Sequence, residues 1–267
     1  MGDDQRRALA DTCERSAAPL KREDYAALGE DIAALAGKFA GEALYKKKIG
    51  YSLDLRSRVA AGLLLKIDGS FRALLDDATL LRGESMHHLK TMTEAFIYVH
   101  VVLEDKSDRT ARAVLAEATH RKIIYAEKNP EYADESEVRE LRQSLTSLTE
   151  GDVRRIGVKS LEQIAAEHSA SLGRWYEHTY RLACEPAHIS DLVDFMPPTE
   201  PERTILSREE RAAALRCYMA LDHGITIMLL LLGRLHDTGL FNLRDPVEDF
   251  WGRLEQIRTR RPERQPE

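Results

Sequence analysis

Residues 173–196 read G-R-W-Y-E-H-T-Y-R-L-A-C-E-P-A-H-I-S-D-L-V-D-F-M and place Trp175, Tyr176, Tyr180, Arg181, Glu185 and His188 close together. A guanidinium and an imidazole can serve RNA cleavage: the cation steadies charge developing on a phosphate while the imidazole moves the ribose 2′-hydroxyl proton. Arg181 and His188 stand at such a spacing, and so do Arg82 with His87 and His88, and Arg216 with His223. About three such matches are expected by chance in a chain with this much arginine and histidine, so position must decide between them. Pro186 lacks an N–H and pushes Glu185 out of the helical region, so it ends one helix and can open another. His188 then falls in the first turn of the new helix, where the dipole favours neutral imidazole, the form that acts as a base. The plainer reading leaves His188 packing or capping this corner.

A second chemistry is available. Glu-x-x-His occurs at Glu84/His87, Glu117/His120 and Glu185/His188. Two such pairs and two more glutamates build a dimetal site in a helical bundle, but roughly one pair arises by chance and the third straddles Pro186. Tyr176 and Tyr180, one turn apart, suit core aromatics with wet hydroxyls. Glu177 and Glu185 flank Arg181 at i±4, which suits a surface ion-pair ladder. Asp222 and His223 lie in the most apolar helix and read as a satisfied buried pair. No Gly-rich phosphate loop and no G-x-S-x-G is present, so a P-loop, a Rossmann fingerprint or a hydrolase elbow has no support.

The elements that must position these residues are helical. Tyr25, Leu28, Ile32, Leu35 and Phe39 recur at three and four residues, as do Leu55, Val59, Leu63, Ile67, Phe71 and Leu74. Along residues 81–104, Met86, Leu89, Met92 and Phe96 share one face. Glu84, His87, His88, Thr91 and Tyr98 share the other, facing either water or a cleft. Further helices are expected over residues 4–15, 109–128, 136–148, 160–184, 187–196, 207–236 and 246–258. Ser160 with Gln163, and Ser207 with Glu210, make capping boxes. No run alternates with period two, so the expected class is all-α, a multi-helix bundle with an extra C-terminal helical pair. The divisions are an N-terminal helical segment (1–50), a core helical domain (51–200), C-terminal helices (201–258) and a disordered tail (259–267).

The formal net charge of −6 argues against broad electrostatic binding of nucleic acid while allowing a local basic groove. The three cysteines, Cys13, Cys184 and Cys217, are far apart and form no Cys-x-x-Cys, so neither a disulfide framework nor a cysteine zinc site is expected. A reducing, cytoplasmic setting follows, and no signal peptide is visible. The apolar run 225–232 is shorter than the ~20 residues of a spanning helix, so no membrane association is expected.

The stretch L-K-T-M-T-E-A-F-I-Y-V (89–99), followed by W-Y-E-H-T-Y-R-L-A-C-E-P-A-H (175–188), resembles a bacterial all-helical domain-of-unknown-function family, number 5677. Members carry an Arg-x-x-x-Glu pair early in an apolar helix. Here Lys90 stands in the arginine's place, with Glu94 as its partner. Later they carry Tyr-x-x-x-Tyr, a small residue and a histidine after the turn, matched by Tyr176, Tyr180, Ala183 and His188. The likeness covers residues 64–196 and is similar to the HEPN superfamily, many of whose members are metal-independent ribonucleases of toxin–antitoxin and phage-defence systems, dimeric with a shared cleft. The resemblance implies Arg181 and His188 as catalytic residues, Lys90, Glu94, Tyr176 and Tyr180 as binding residues, no cofactor, and RNA, an antitoxin or a second copy as partner. Leu182 stands where active members have a polar residue, and other members serve only in binding and assembly. A non-enzymatic binding protein with a buried polar network is the alternative.

Overall fold

The computed structural model describes residues 22–38, 54–80, 82, 84–131, 134–151, 153–184, 204–237 and 243–259. They are helical, with no strand among them. Five helices come first: α1 (Arg22–Lys38), α2 (Leu55–Thr79), α3 (Ser85–Glu104), α4 (Arg109–Lys128) and α5 (Glu135–Leu148). After a 3₁₀ turn (Ile156–Val158) the chain forms α6 (Leu161–His168), α7 (Ala170–Trp175), a π-helical segment (Tyr176–Tyr180) and α8 (Arg181–Cys184). Two C-terminal helices follow, α9 (Thr204–Asp237) and α10 (Arg244–Thr259).

Local chemistry sets several of these boundaries. Asp54 accepts from the Ser57 amide to cap α2, and Asp134 accepts from the Glu137 amide to cap α5, each satisfying an orphan donor of a first turn. The Ser160–Gln163 capping box forms in both directions. The expected single helix from there to Cys184 does not. Ser169 is extended (φ −163°, ψ 153°), and its hydroxyl accepts from the Leu172 amide, so it ends α6 and caps α7. A serine that can bond its own backbone competes with helix continuation, and here the competition breaks the helix. At the C-terminal side, α9 already begins at Thr204, so Ser207 lies inside its first turn rather than at its N-cap. The helix expected over 4–15, the corner at Pro186, the helix after it and the tail lie outside the described residues.

α3 lies at the centre. Met86, Leu89, Met92, Ala95, Phe96, Ile97, Val99 and Val102 on it are each at most 1% exposed. α2 runs along it, presenting Leu64, Ile67, Phe71 and Leu74, and α9 packs across both with Leu221, Ile225, Met228 and Leu232. Gly224 of α9 permits close approach, since a Cβ there would stand 3.1 Å from a Leu74 methyl. α1 and α10 add Tyr25, Leu28, Ile32, Phe250 and Leu254 to the same core. By length and composition, Leu215–Asp237 of α9 meets the requirements for crossing a membrane, and about half of that window is buried within the bundle.

One polar knot ties the outer helices. Asp222 of α9 accepts from Arg258 of α10 at 2.9 and 3.0 Å and from the Tyr25 hydroxyl of α1 at 3.2 Å. Tyr25 also meets the Tyr218 hydroxyl at 3.0 Å, and Arg258 donates to Thr226 at 2.9 Å. Burial drives the Tyr25 phenol well above its ordinary range, with Tyr218 and Asp222 adding to it. The carboxylate hydrogen bond holds Arg258 firmly charged. The expected Asp222–His223 pair is therefore absent: neighbours on a helix point about 100° apart, and each side chain finds a different partner. Arg258→Ala leaves a half-buried carboxylate without its charged donor and is expected to cost about 1.5–3 kcal/mol. The check is a fall in the urea midpoint with an unchanged slope.

Candidate functional site

The arm formed by α6, α7, the π segment and α8 lies against α3. Within it the Arg181 amide donates to the Tyr176 carbonyl five residues back, the bond of a π turn. Such insertions recur at functional sites because they re-aim side chains at a small cost in helix geometry. This one falls inside the stretch richest in reactive groups. Tyr176 and Tyr180 stack with centroids 5.2 Å apart and planes 21° from parallel. Lys90 of α3 sets its ammonium 5.8 Å from the Tyr180 ring centroid, within reach of a cation–π attraction.

Glu94, one turn along α3, is close enough to act on two phenols. Burial raises the Tyr180 phenol above its ordinary value, and Cys184 and Glu94 raise it further. Burial pushes the Tyr98 phenol up to about 12, Glu94 adding to the rise and Arg121 of α4 opposing it. Tyr176 is raised by burial and then by Glu162. All three tyrosines are therefore neutral hydroxyls at physiological pH, able to donate to an anion or accept from a base. Lys90 and Glu94 form no ion pair of 4.0 Å or less; Lys90 lies over the Tyr180 ring. Lysine N-terminal to glutamate at i,i+4 is the poorer order for a helical pair, and the aromatic face competes for the ammonium.

Arg181 stands at the rim. Its side chain is exposed and donates to Glu177 at 2.9 Å, the i,i+4 pair read from the sequence. That bond holds the guanidinium charged, and it lies within electrostatic reach of Tyr176 and Glu162. Lys90, Glu94, Tyr176 and Tyr180 thus share one locality with Arg181 beside it. His188 lies outside the described residues.

The other spacings serve structure. Arg82 and His88 both reach Asp77, at 3.6 and 3.1 Å, and clip the start of α3 to the end of α2. His223 bonds the buried Thr179 hydroxyl at 2.9 Å and meets the Trp175 ring edge-on, which holds α7 and the π segment against α9. Glu117 is taken by Arg121 at 2.9 Å and Arg155 at 3.5 Å, apart from any role with His120. Among the described residues no three His, Cys, Asp or Glu side chains gather as a metal ion requires. An open groove of about 880 Å³ runs between α4 and α5, lined by Arg121, Lys122, Tyr125, Glu137, Glu140 and Leu141. It shares Arg121 with the surroundings of Tyr98 but none of the arm's residues.

One cluster escaped the sequence. Glu104 at the end of α3 receives His168 of α6 at 2.8 Å, Arg234 of α9 at 3.7 Å and His100 of its own helix at 4.0 Å. The His168 contact is short but off the line of a hydrogen bond, so His168 Nε2 lacks a directed partner, as do the buried His100 Nε2 and Arg234 Nε. The only sequence signal was the i,i+4 spacing of His100 and Glu104.

Comparison of the chain with protein-family models, with curated proteins and with solved structures finds no match.

The contact of Lys90 with Tyr180 is expected to be energetically real. A double-mutant cycle of Lys90→Met and Tyr180→Leu, read by urea unfolding, is expected to give a coupling of about 0.5–1 kcal/mol. A coupling of zero would mean that Lys90 merely hovers there.

Proposed function

We propose that the protein is a HEPN-like helical protein that binds single-stranded RNA at the arm and cleaves it without metal. The resemblance in residues 89–99 and 175–188 supplies the family. The observation that carries the site is the stacked Tyr176–Tyr180 pair beside Lys90, with Arg181 at its rim, on a π turn a few residues before Pro186. Aromatic faces receive bases by stacking and an ammonium or guanidinium receives phosphates, so the set suits a flexible strand.

The reaction follows from the two named groups. Neutral His188 takes the proton from a ribose 2′-hydroxyl, and the 2′-oxygen attacks the adjacent phosphorus. The P–O5′ bond breaks, the 5′-oxygen leaves with the proton that the His188 imidazolium returns, and a 2′,3′-cyclic phosphate remains. Arg181 balances the extra negative charge on the non-bridging oxygens. To do so it exchanges Glu177 for the phosphate, and an exposed i,i+4 pair is weak enough for that exchange.

A second reading has its own support. Glu94, Glu162 and Glu177 surround the tyrosines, and Arg181, Arg121 and Arg155 are already engaged by carboxylates. On this reading the network fixes the arm on α3, and the protein works by binding a partner, an antitoxin-like protein or a second copy. The readings separate in one assay: cleavage of single-stranded RNA in excess chelator by the wild type, His188→Ala and Arg181→Ala. The ribonuclease reading expects cleavage by the wild type and losses of roughly 10²–10⁴-fold in each variant. Equal cleavage by the wild type and His188→Ala removes the catalytic role. No cleavage by any of them, together with a large loss of thermal stability in Glu94→Ala, favours the binding protein.

A further inference from the structure

The buried side-chain atoms left without a hydrogen-bond partner among the described residues, His100 Nε2, His168 Nε2 and Arg234 Nε, all belong to one cluster around Glu104. Buried polar groups are nearly always satisfied, so three in one place call for a reason. These atoms have almost no accessible surface, which leaves no room beside them for a water or a small ligand. What remains is their charge. Four groups meet: His100 and Glu104 from α3, His168 from the last turn of α6, and Arg234 from α9. With neutral imidazoles, Arg234 and Glu104 balance. A proton added to His100 leaves positive charge beside Arg234 that the single carboxylate, already shared with His168 and Arg234, does not offset.

The place of the cluster gives that imbalance a consequence. His168 ends α6 immediately before the break at Ser169, so it is the point where the arm meets Glu104 of α3, the carboxylate that Arg234 of α9 also reaches. Phe96 joins the cluster to the arm's other anchor, with its ring edge-on to His100 at 4.6 Å and to Trp175 at 5.4 Å.

We propose that His100, Glu104, His168 and Arg234 form a proton-operated latch, closed at neutral pH, that holds α6 and α7 against α3 and α9 and is released by acid. The latch itself rests on this geometry alone; its meaning for RNA rests on the preceding reading of the site, since the arm carries Tyr176, Tyr180 and Arg181. Burial, and then Arg234 and His168, hold the His100 imidazole below its ordinary value, with Glu104 opposing. Once the arm opens, His100 loses part of its burial and the neighbouring His168 and moves toward the ordinary imidazole value of about 6.5. The open form therefore binds more protons as pH falls below about 6.5, and opening becomes easier in that direction, up to tenfold per unit by which closure lowers the value.

The test is hydrogen exchange over residues 161–175 of the full chain at about pH 7.5 and about pH 5.5, corrected for the intrinsic rate, with α2 as internal reference. The wild type is expected to lose roughly tenfold in protection of this segment on acidification while α2 keeps its own. His100→Gln is expected to abolish the loss. Arg234→Gln, which removes the cation opposing protonation and serves should His100→Gln fail to fold, is expected to shrink it. His223→Gln, which removes the other imidazole with a lowered value and with it an anchor of α7, is expected to lower protection of the segment at both pH values while keeping the loss on acidification. Protection independent of pH in the wild type, or a loss abolished by His223→Gln but not by the other two variants, would overturn the proposal. No arm of the experiment uses RNA, so the latch and the ribonuclease reading fail separately.

Discussion

The burial of α3 governs the rest. Almost every apolar residue between Met86 and Val102 is out of water, covered by α2, α9 and the second small cluster of Val59, Ala111 and Val114. A helix so placed has only a limited stripe left for charge, and Glu94 and Glu104 lie along it on either side of the line through Lys90, each about 40° away. That stripe is half-apolar as well, through Ile97 and Val101, so it needs a cover that is itself amphipathic. The arm from α6 to α8 supplies one, and it must answer each charge where it finds it. A tyrosine face meets Lys90, phenol hydroxyls come near Glu94, and an imidazole meets Glu104. The candidate site and the histidine cluster are thus two ends of one packing problem.

The arm solves the problem by departing twice from regular helix. The extended Ser169 turns the chain between α6 and α7, and the π turn at Tyr176–Tyr180 shifts the frame once more before α8. A straight helix from Ser160 to Cys184 would advance 100° at every residue and would carry its polar and apolar positions around the axis relative to α3. With the two interruptions, Leu172 and Ala183 are buried, Thr179 reaches His223, and Tyr176 and Tyr180 stack. The irregular backbone sits where reactive side chains converge, and the regular helices around it provide the rigid support.

Much of this was legible in the sequence, and the boundary has physical causes. Helices whose ends carry local signals could be read closely: α4 stops before Asn129-Pro130, and the Ser160–Gln163 box opens α6, while α5, expected from 136, starts one residue earlier at its Asp134 cap. Lys90, Glu94, Tyr176 and Tyr180 were grouped through the resemblance rather than the helix pattern, which by itself read the tyrosines as core aromatics. The Ser169 break was not, since the same hydroxyl is tolerated inside a helix whenever it faces water, and only tertiary packing decides between the two. Asp222 and His223 misled because adjacency along a chain looks like adjacency in space. Their partners, Arg258 and Thr179, come from helices far away in sequence. The cluster around Glu104 was hidden for the same reason, because His168 and Arg234 carry no local mark of their destination.

The charge balance of the arm bears on how any anionic ligand could be held. Arg181 is held by Glu177, Arg121 of α4 and Arg155 before the 3₁₀ turn share Glu117 nearby, and Lys90 is half-covered by its aromatic neighbour. A strand of phosphates arriving there gains little from bulk electrostatics, consistent with a chain whose net charge is −6. On the proposed reading it would gain instead by exchange: one phosphate would displace Glu177 from Arg181, and a base would stack on the tyrosine pair. Such an exchange conserves the number of charged contacts, so its salt dependence is shallow compared with binding to an open basic groove. On that reading the acidic neighbours would also act as a filter, because an anion that reaches only one arginine loses a carboxylate contact for each phosphate contact it makes. A ligand that stacks as well has a net gain, so on the proposed reading the tyrosine pair, rather than the arginines, would give this surface a preference for single strands.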